Sequence, residues 1–95
     1  MAMKAKFLII IEKGERNYSA YSPDVPGCIA TGRSVETTLN EMRVALVFHI
    51  ESLIESGDNV PTPKSLNYYL DKTDEISSED ILAHIEIDVT EPAFA

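Results

Sequence analysis

Residues 7 to 11, "FLIII", restrict what this chain can fold into more than any other stretch. An amphipathic helix would space its apolar positions by three and four, and a half-buried strand would alternate them with polar ones. This run does neither. It is far too short to cross a membrane, it ends in three β-branched residues, and Gly14 bounds it. It predicts a strand covered on both faces, and therefore a strand in the middle of its sheet.

The rest of the chain supplies that strand with neighbours. "EKGER" has the composition of a hairpin turn, and Tyr18 to Tyr21 predicts a second short strand. After "SPDVPGC" comes a third, Cys28 to Thr31, ending at Gly32. Ser34 has the character of an N-cap, with Thr37 at the position where a capping box would place Glu or Gln. Val35, Leu39, Met42, Leu46, Ile50 and Leu53 then recur at steps of three and four, one continuous helix face. Gly57, followed by Pro61 and Pro63, stops a helix expected over roughly residues 34 to 56. Toward the end, Ile85, Ile87 and Val89 alternate with His84, Glu86 and Asp88, predicting a final strand with one wet face.

Strand, strand, strand, helix, strand has a natural layout. The first three strands form an antiparallel meander, and the helix crosses right-handed to bring the fourth strand beside the first. The expectation is one α+β, two-layer domain over residues 1–95. The helix also carries Val44, Val47, Phe48 and Ile54, an apolar arc wider than one sheet face needs. Residues 65 to 72, "SLNYYLDK", with Leu66, Tyr69 and Leu70 apolar, are expected to form a short helical cover for part of it, and a second subunit to cover the rest. Val44 and Phe48 are the expected interface of a homodimer or tetramer.

The corner "SPDVPGC" carries a carboxylate and a thiol, the raw material of a catalytic loop. Pro23 and Pro26 set φ and Gly27 permits a positive one, which suits a chain reversal between strands. Asp24 is expected to accept hydrogen bonds from the loop's own backbone, or to present a charge to a partner. Cys28, the only cysteine, would need a base to become a nucleophile. His49 lies mid-helix and nothing ties His84 to the thiol, so a small buried cysteine is the expectation. For a metal-dependent hydrolase the nearest ligand row is His84, Glu86 and Asp88, although a wet strand face explains the same alternation. The sequence has no phosphate-cradling glycine loop, zinc-spaced Cys/His set or Ser/His/Asp signature. No catalytic residue, metal or cofactor is expected.

The net charge of −8 argues against phosphate binding and favours a basic partner. The start "MKAKFLIII" is too short in its apolar part, and too soon followed by Glu12 and Lys13, for a signal peptide. With no span and no disulfide pair, the expected location is the cytoplasm.

The line "YSAYSPDVPGCIATGRSVETTLNEMRVALVFHIESLIESGDNVPTP" resembles the HicB-type antitoxin domain of bacteria and archaea. The shared pattern is an aromatic strand, Pro-Asp-x-Pro-Gly-Cys, a short strand ending in glycine, a Ser-x-Glu helix start, a long helix and an x-x-Pro-x-Pro exit. Together these cover residues 7 to 63. The resemblance implies a partial ribonuclease-H-like fold and a small basic ribonuclease toxin, HicA, as partner. It implies a non-enzymatic antitoxin that neutralises this mRNA interferase by occlusion, and a tendency to oligomerise. An orphan oligomeric domain without a toxin is the alternative. Thr37 and Thr38 stand where the family often has Glu-Glu or Glu-Ala. Between Asp71 and Glu91 the chain holds eight acids against one lysine, so no C-terminal DNA-binding domain and no direct nucleic-acid contact are expected. Tyr21 and Asp24 at the corner, with Glu86 and Asp88 on the last strand, are the expected partner-binding residues.

Overall fold

The computed structural model describes residues 2–72 and 76–90. The chain runs β1 (Ala2–Lys13), β2 (Tyr18–Tyr21), β3 (Ile29–Gly32), α1 (Val35–Glu55), α2 (Leu66–Lys72) and β4 (Ile81–Thr90). The four strands form one antiparallel sheet in the order β3-β2-β1-β4. The layout expected from the sequence is therefore the observed one, with β1 central.

The reason lies in β1 itself. Phe7, Leu8, Ile9, Ile10 and Ile11 are all at most 1% exposed. Its odd-numbered residues, Ala5, Phe7, Ile9 and Ile11, join Met42, Leu46 and Ile50 of α1, together with Ile85 and Ile87 of β4, in the main core. Leu8 and Ile10 are buried on the other face. There the segment from Thr62 to Ser65 walls a groove with Lys4, Lys6 and His84.

Helix α1 begins where its capping chemistry places it. Ser34 is extended (φ −135°, ψ 164°), and its Oγ accepts the Thr37 backbone N–H at 3.1 Å, satisfying a donor of the first turn. The helix ends in a Schellman motif: Asp58 N–H donates to Leu53 O at 2.9 Å and Gly57 N–H to Ile54 O at 3.1 Å. Between β3 and α1 the backbones approach closely. A Cβ on Gly32 would stand 2.7 Å from Thr38 Oγ1 and 2.8 Å from Thr38 N, so only glycine fits there. Thr38 is fully buried, its hydroxyl donating to Ser34 O at 2.7 Å.

The wide apolar arc of α1 resolves into two separate flanks. Val47 packs against the core on the β4 side, where Ile54 also sits. Val44 and Phe48 lie on the β3 side, 66% and 73% exposed. Helix α2 does not cover them; its Tyr69 hydroxyl is bonded to Asp24 instead.

Candidate functional interface

The corner expected to be either a turn or a charged contact proves to be an internal anchor. Gly27 takes φ +87° as the reversal requires, and Val25 and Cys28 turn into the core. Asp24 is the correction. It does not offer an exposed charge to a partner, being only 6% exposed. Its carboxylate accepts the backbone N–H of Leu8 at 3.4 Å, that of Lys64 at 2.9 Å, and the hydroxyl of Tyr69. These donors come from β1 and from the chain leading into and through α2, so Asp24 pins that segment beside the sheet. The physical cause is the shortness of β2: pairing with β1 stops at Ile10, leaving the Leu8 amide without a ladder partner. Burial, then the bond to Asp24, pushes the Tyr69 phenol well above its ordinary range. Tyr21, at the base of the corner, is half-buried.

Cys28 is also buried, and burial raises its thiol above the usual value. A raised thiol is a poorer source of thiolate. Among the described residues, no three of the His, Cys, Asp and Glu side chains are grouped to hold a metal ion. No described helix is long and apolar enough to cross a membrane.

Glu86 and Asp88 remain exposed, and their stretch of β4 borders a groove. The groove, of about 600 Å³, runs between the C-terminal half of α1 and β4. Val47, Ile50 and Ile54 of α1 and Ile87 of β4 form its apolar lining. Glu51 and Glu55 stand on the helix side; Glu86 and Asp88 border the groove at the strand, while their side chains, alternating with the core-facing Ile85 and Ile87, turn to the opposite face of the sheet. Arg43 is the basic side chain among the lining residues, and its Nη1 donates to the main-chain carbonyl of Glu86 at 3.2 Å. On that opposite face Lys4 Nζ lies 3.6 Å from Glu86 Oε1, an exposed pair, and Lys4 is also the cross-strand partner of Asp88, so Glu51 and Glu55 are the acids nearest the apolar lining.

A second, neutral surface lies on the opposite side. Val44, Ala45 and Phe48 of α1 meet Ile29, Ala30 and Thr31 of edge strand β3, with Glu41 the one charged residue in the lining. Ile29 is 65% exposed, which makes this a contiguous apolar patch rather than two isolated side chains. The sequence identified Val44 and Phe48 but not Ile29, because a lone apolar residue in a four-residue strand carries no periodicity. Arg43 carries no sequence signal of its own, since a helix arginine means nothing until the strand beside it is known.

Comparison with known proteins fits this architecture. The sequence model described as the HicB_like antitoxin of bacterial toxin-antitoxin system matches residues 7–93. Among solved structures, the N-terminal domain of Burkholderia pseudomallei antitoxin HicB superposes with a TM-score of 0.74 at 27% identity, covering 88% of this chain and 99% of that one. A chain of the HicA3 and HicB3 toxin-antitoxin complex gives a TM-score of 0.68 at 28% identity, over 83% of this chain and 93% of its own. A 14.9 kDa protein of the rep-hol intergenic region of Haemophilus phage HP1 is 28% identical over 82 residues. That match takes in 86% of this chain and only 60% of the phage protein. With the family pattern spanning nearly the whole sequence and the same sheet and helix in its solved members, this chain belongs to the HicB-like antitoxin family of bacterial toxin-antitoxin systems.

Proposed function

We propose that this protein is a non-enzymatic antitoxin that neutralises a small basic HicA-type mRNA interferase in the cytoplasm by covering its RNA-binding or catalytic surface. The observation that carries the reading is the groove between α1 and β4. It combines an apolar lining with Glu51 and Glu55, while Glu86 and Asp88 stand just across the edge of β4, on a chain whose net charge is −8. Apolar lining supplies affinity, while the acids select a basic partner and speed encounter. Family membership and the HicA3–HicB3 complex among its structural relatives support the same class of partner. The test is recovery of a small basic protein with the tagged chain from its own cells, followed by an RNA-cleavage assay. Cleavage by the partner should fall on adding the protein, and a purified complex that cleaves undiminished would refute the reading.

A second surface favours self-association alongside this role. Two like-charged copies repel over most of their surfaces, and the patch of Ile29, Val44 and Phe48 is the neutral place where they can meet. On this reading the protein is at least a homodimer, with the groove facing outward. A Phe48→Glu variant should sediment as a smaller species than the wild type, and an unchanged size would refute this interface. Were no toxin recovered, this surface would instead support an oligomeric scaffold.

A further inference from the structure

Strand β4 ends the sheet, and its outer edge is long. All ten of its residues pair with β1, its outer edge borders the α1 groove at Glu86 to Asp88, and among the described residues no fifth strand joins the sheet. Two observations fix which residues face outward. In an antiparallel ladder a residue's N–H and C=O point to the same side. The Glu86 carbonyl points away from β1, because Arg43 reaches it from α1. The Leu8 N–H points toward the corner, where Asp24 accepts it, so Leu8 and its partner His84 do not bond each other. The backbone groups of Leu82, His84, Glu86 and Asp88 therefore face the open edge.

An open edge of this length is a template for another strand, and natural proteins blunt such edges unless they use them. Here the blunting is slight. Arg43 holds one carbonyl with a single exposed side chain that can swing away.

We infer that β4 is a strand-addition site, where an extended basic segment of a partner pairs with the outer edge and lies in the groove beside α1. The charges select the occupant. A second copy pairing β4 to β4 would bring together two sets of Glu51, Glu55, Glu86 and Asp88, which is repulsive. A segment alternating basic and apolar residues is matched on both of its faces. One set of side chains lies beside Glu86 and Asp88, and the other turns toward Val47 and Ile54. Main-chain bonds to the edge fix register, and the acids fix sign.

The identification of that segment with part of a toxin rests on the antitoxin reading, but the site can be tested without a toxin. The probe is a nine-residue peptide of alternating lysine and valine, titrated into the full chain. Binding should slow amide exchange at Leu82, His84, Glu86 and Asp88 while leaving Ile85 and Ile87, already bonded to β1, unchanged. The same peptide methylated on alternate backbone nitrogens should bind at least about tenfold more weakly. So should His84→Pro, which removes an outward N–H without breaking a bond to β1. Saturation without protection of the four even-numbered amides, equal binding of the methylated peptide, or no binding up to millimolar peptide would each overturn the inference. If His84→Pro fails to fold, the methylated peptide on the wild-type chain still decides.

Inhibition of a co-purified toxin separates the two readings. A folded His84→Pro variant that inhibits it as the wild type does overturns strand addition and leaves the antitoxin reading intact. A wild-type chain that protects its edge with the peptide but inhibits no toxin leaves the edge site standing and refutes the antitoxin reading.

Discussion

Asp24 shows how one residue type serves two purposes depending on where its donors come from. At the corner of two strands it has the composition of an Asx turn, yet its bonds reach 16 residues back to Leu8 and 40 and 45 residues on to Lys64 and Tyr69. Asp24→Ala strands three donors at once and should cost about 2–4 kcal/mol, read as a lower urea midpoint at unchanged slope. Tyr69→Phe removes one of the three and should cost about 1–2 kcal/mol. The raised phenol adds a pH signature. Folded Tyr69 keeps its proton at pH values where the unfolded chain has lost it, so its contribution is complete below the ordinary tyrosine range and falls as pH rises from about 10 upward. Wild type should therefore lose more stability than Tyr69→Phe between pH 9 and 11. Cys28, raised by burial, should react with iodoacetamide at pH 8 at least about tenfold more slowly in the folded protein than in urea.

At the scale of elements, α1 organises the molecule because its stripes face different things. The stripe of Thr38, Met42, Leu46 and Ile50 is buried on the sheet. One flank, through Val47 and Ile54, borders the acidic groove, and the other, through Val44 and Phe48, borders β3. Substitutions on the two flanks should therefore separate: Phe48→Glu changes oligomer size, while Glu51→Lys together with Asp88→Lys weakens a basic partner without changing size. The junction of β3 with α1 is a tight one. Gly32→Ala places a Cβ against the Thr38 backbone and should destabilise by roughly 1–3 kcal/mol, measured by thermal or urea unfolding. Ser34→Ala should cost about 1 kcal/mol through loss of the cap.

Over the whole molecule, the two exposed surfaces lie on opposite sides of one small sheet and differ in charge. The β3 side is nearly neutral and the β4 side is strongly acidic. On the proposed reading, self-association would use one surface and capture of a basic partner the other, so an oligomer would present several grooves at once. Electrostatic steering makes a clear prediction for the complex: raising salt from about 20 to 500 mM should slow association by on the order of tenfold and change dissociation much less.

The kinds of element, their order and their arrangement in the sheet are legible in the chain read residue by residue. Those follow from periodicities written locally: five consecutive apolar residues demand cover on both faces, which goes with a central strand, and the structure supplies it with α1 on one face and residues 62 to 65 beside the other. The stretch from "SPDVPGC" to the proline-rich exit also carried the family. It pointed as well to Glu86 and Asp88, because alternation assigns them a wet face. The tertiary structure alone decided that Asp24 turns inward, that the apolar arc of α1 divides into a groove and a patch, that Ile29 joins Val44 and Phe48, and that Arg43 sits on the edge of β4. Each of these depends on partners from distant parts of the chain. Periodicity tells a residue which face of its own element it occupies; what covers that face is set by packing between elements.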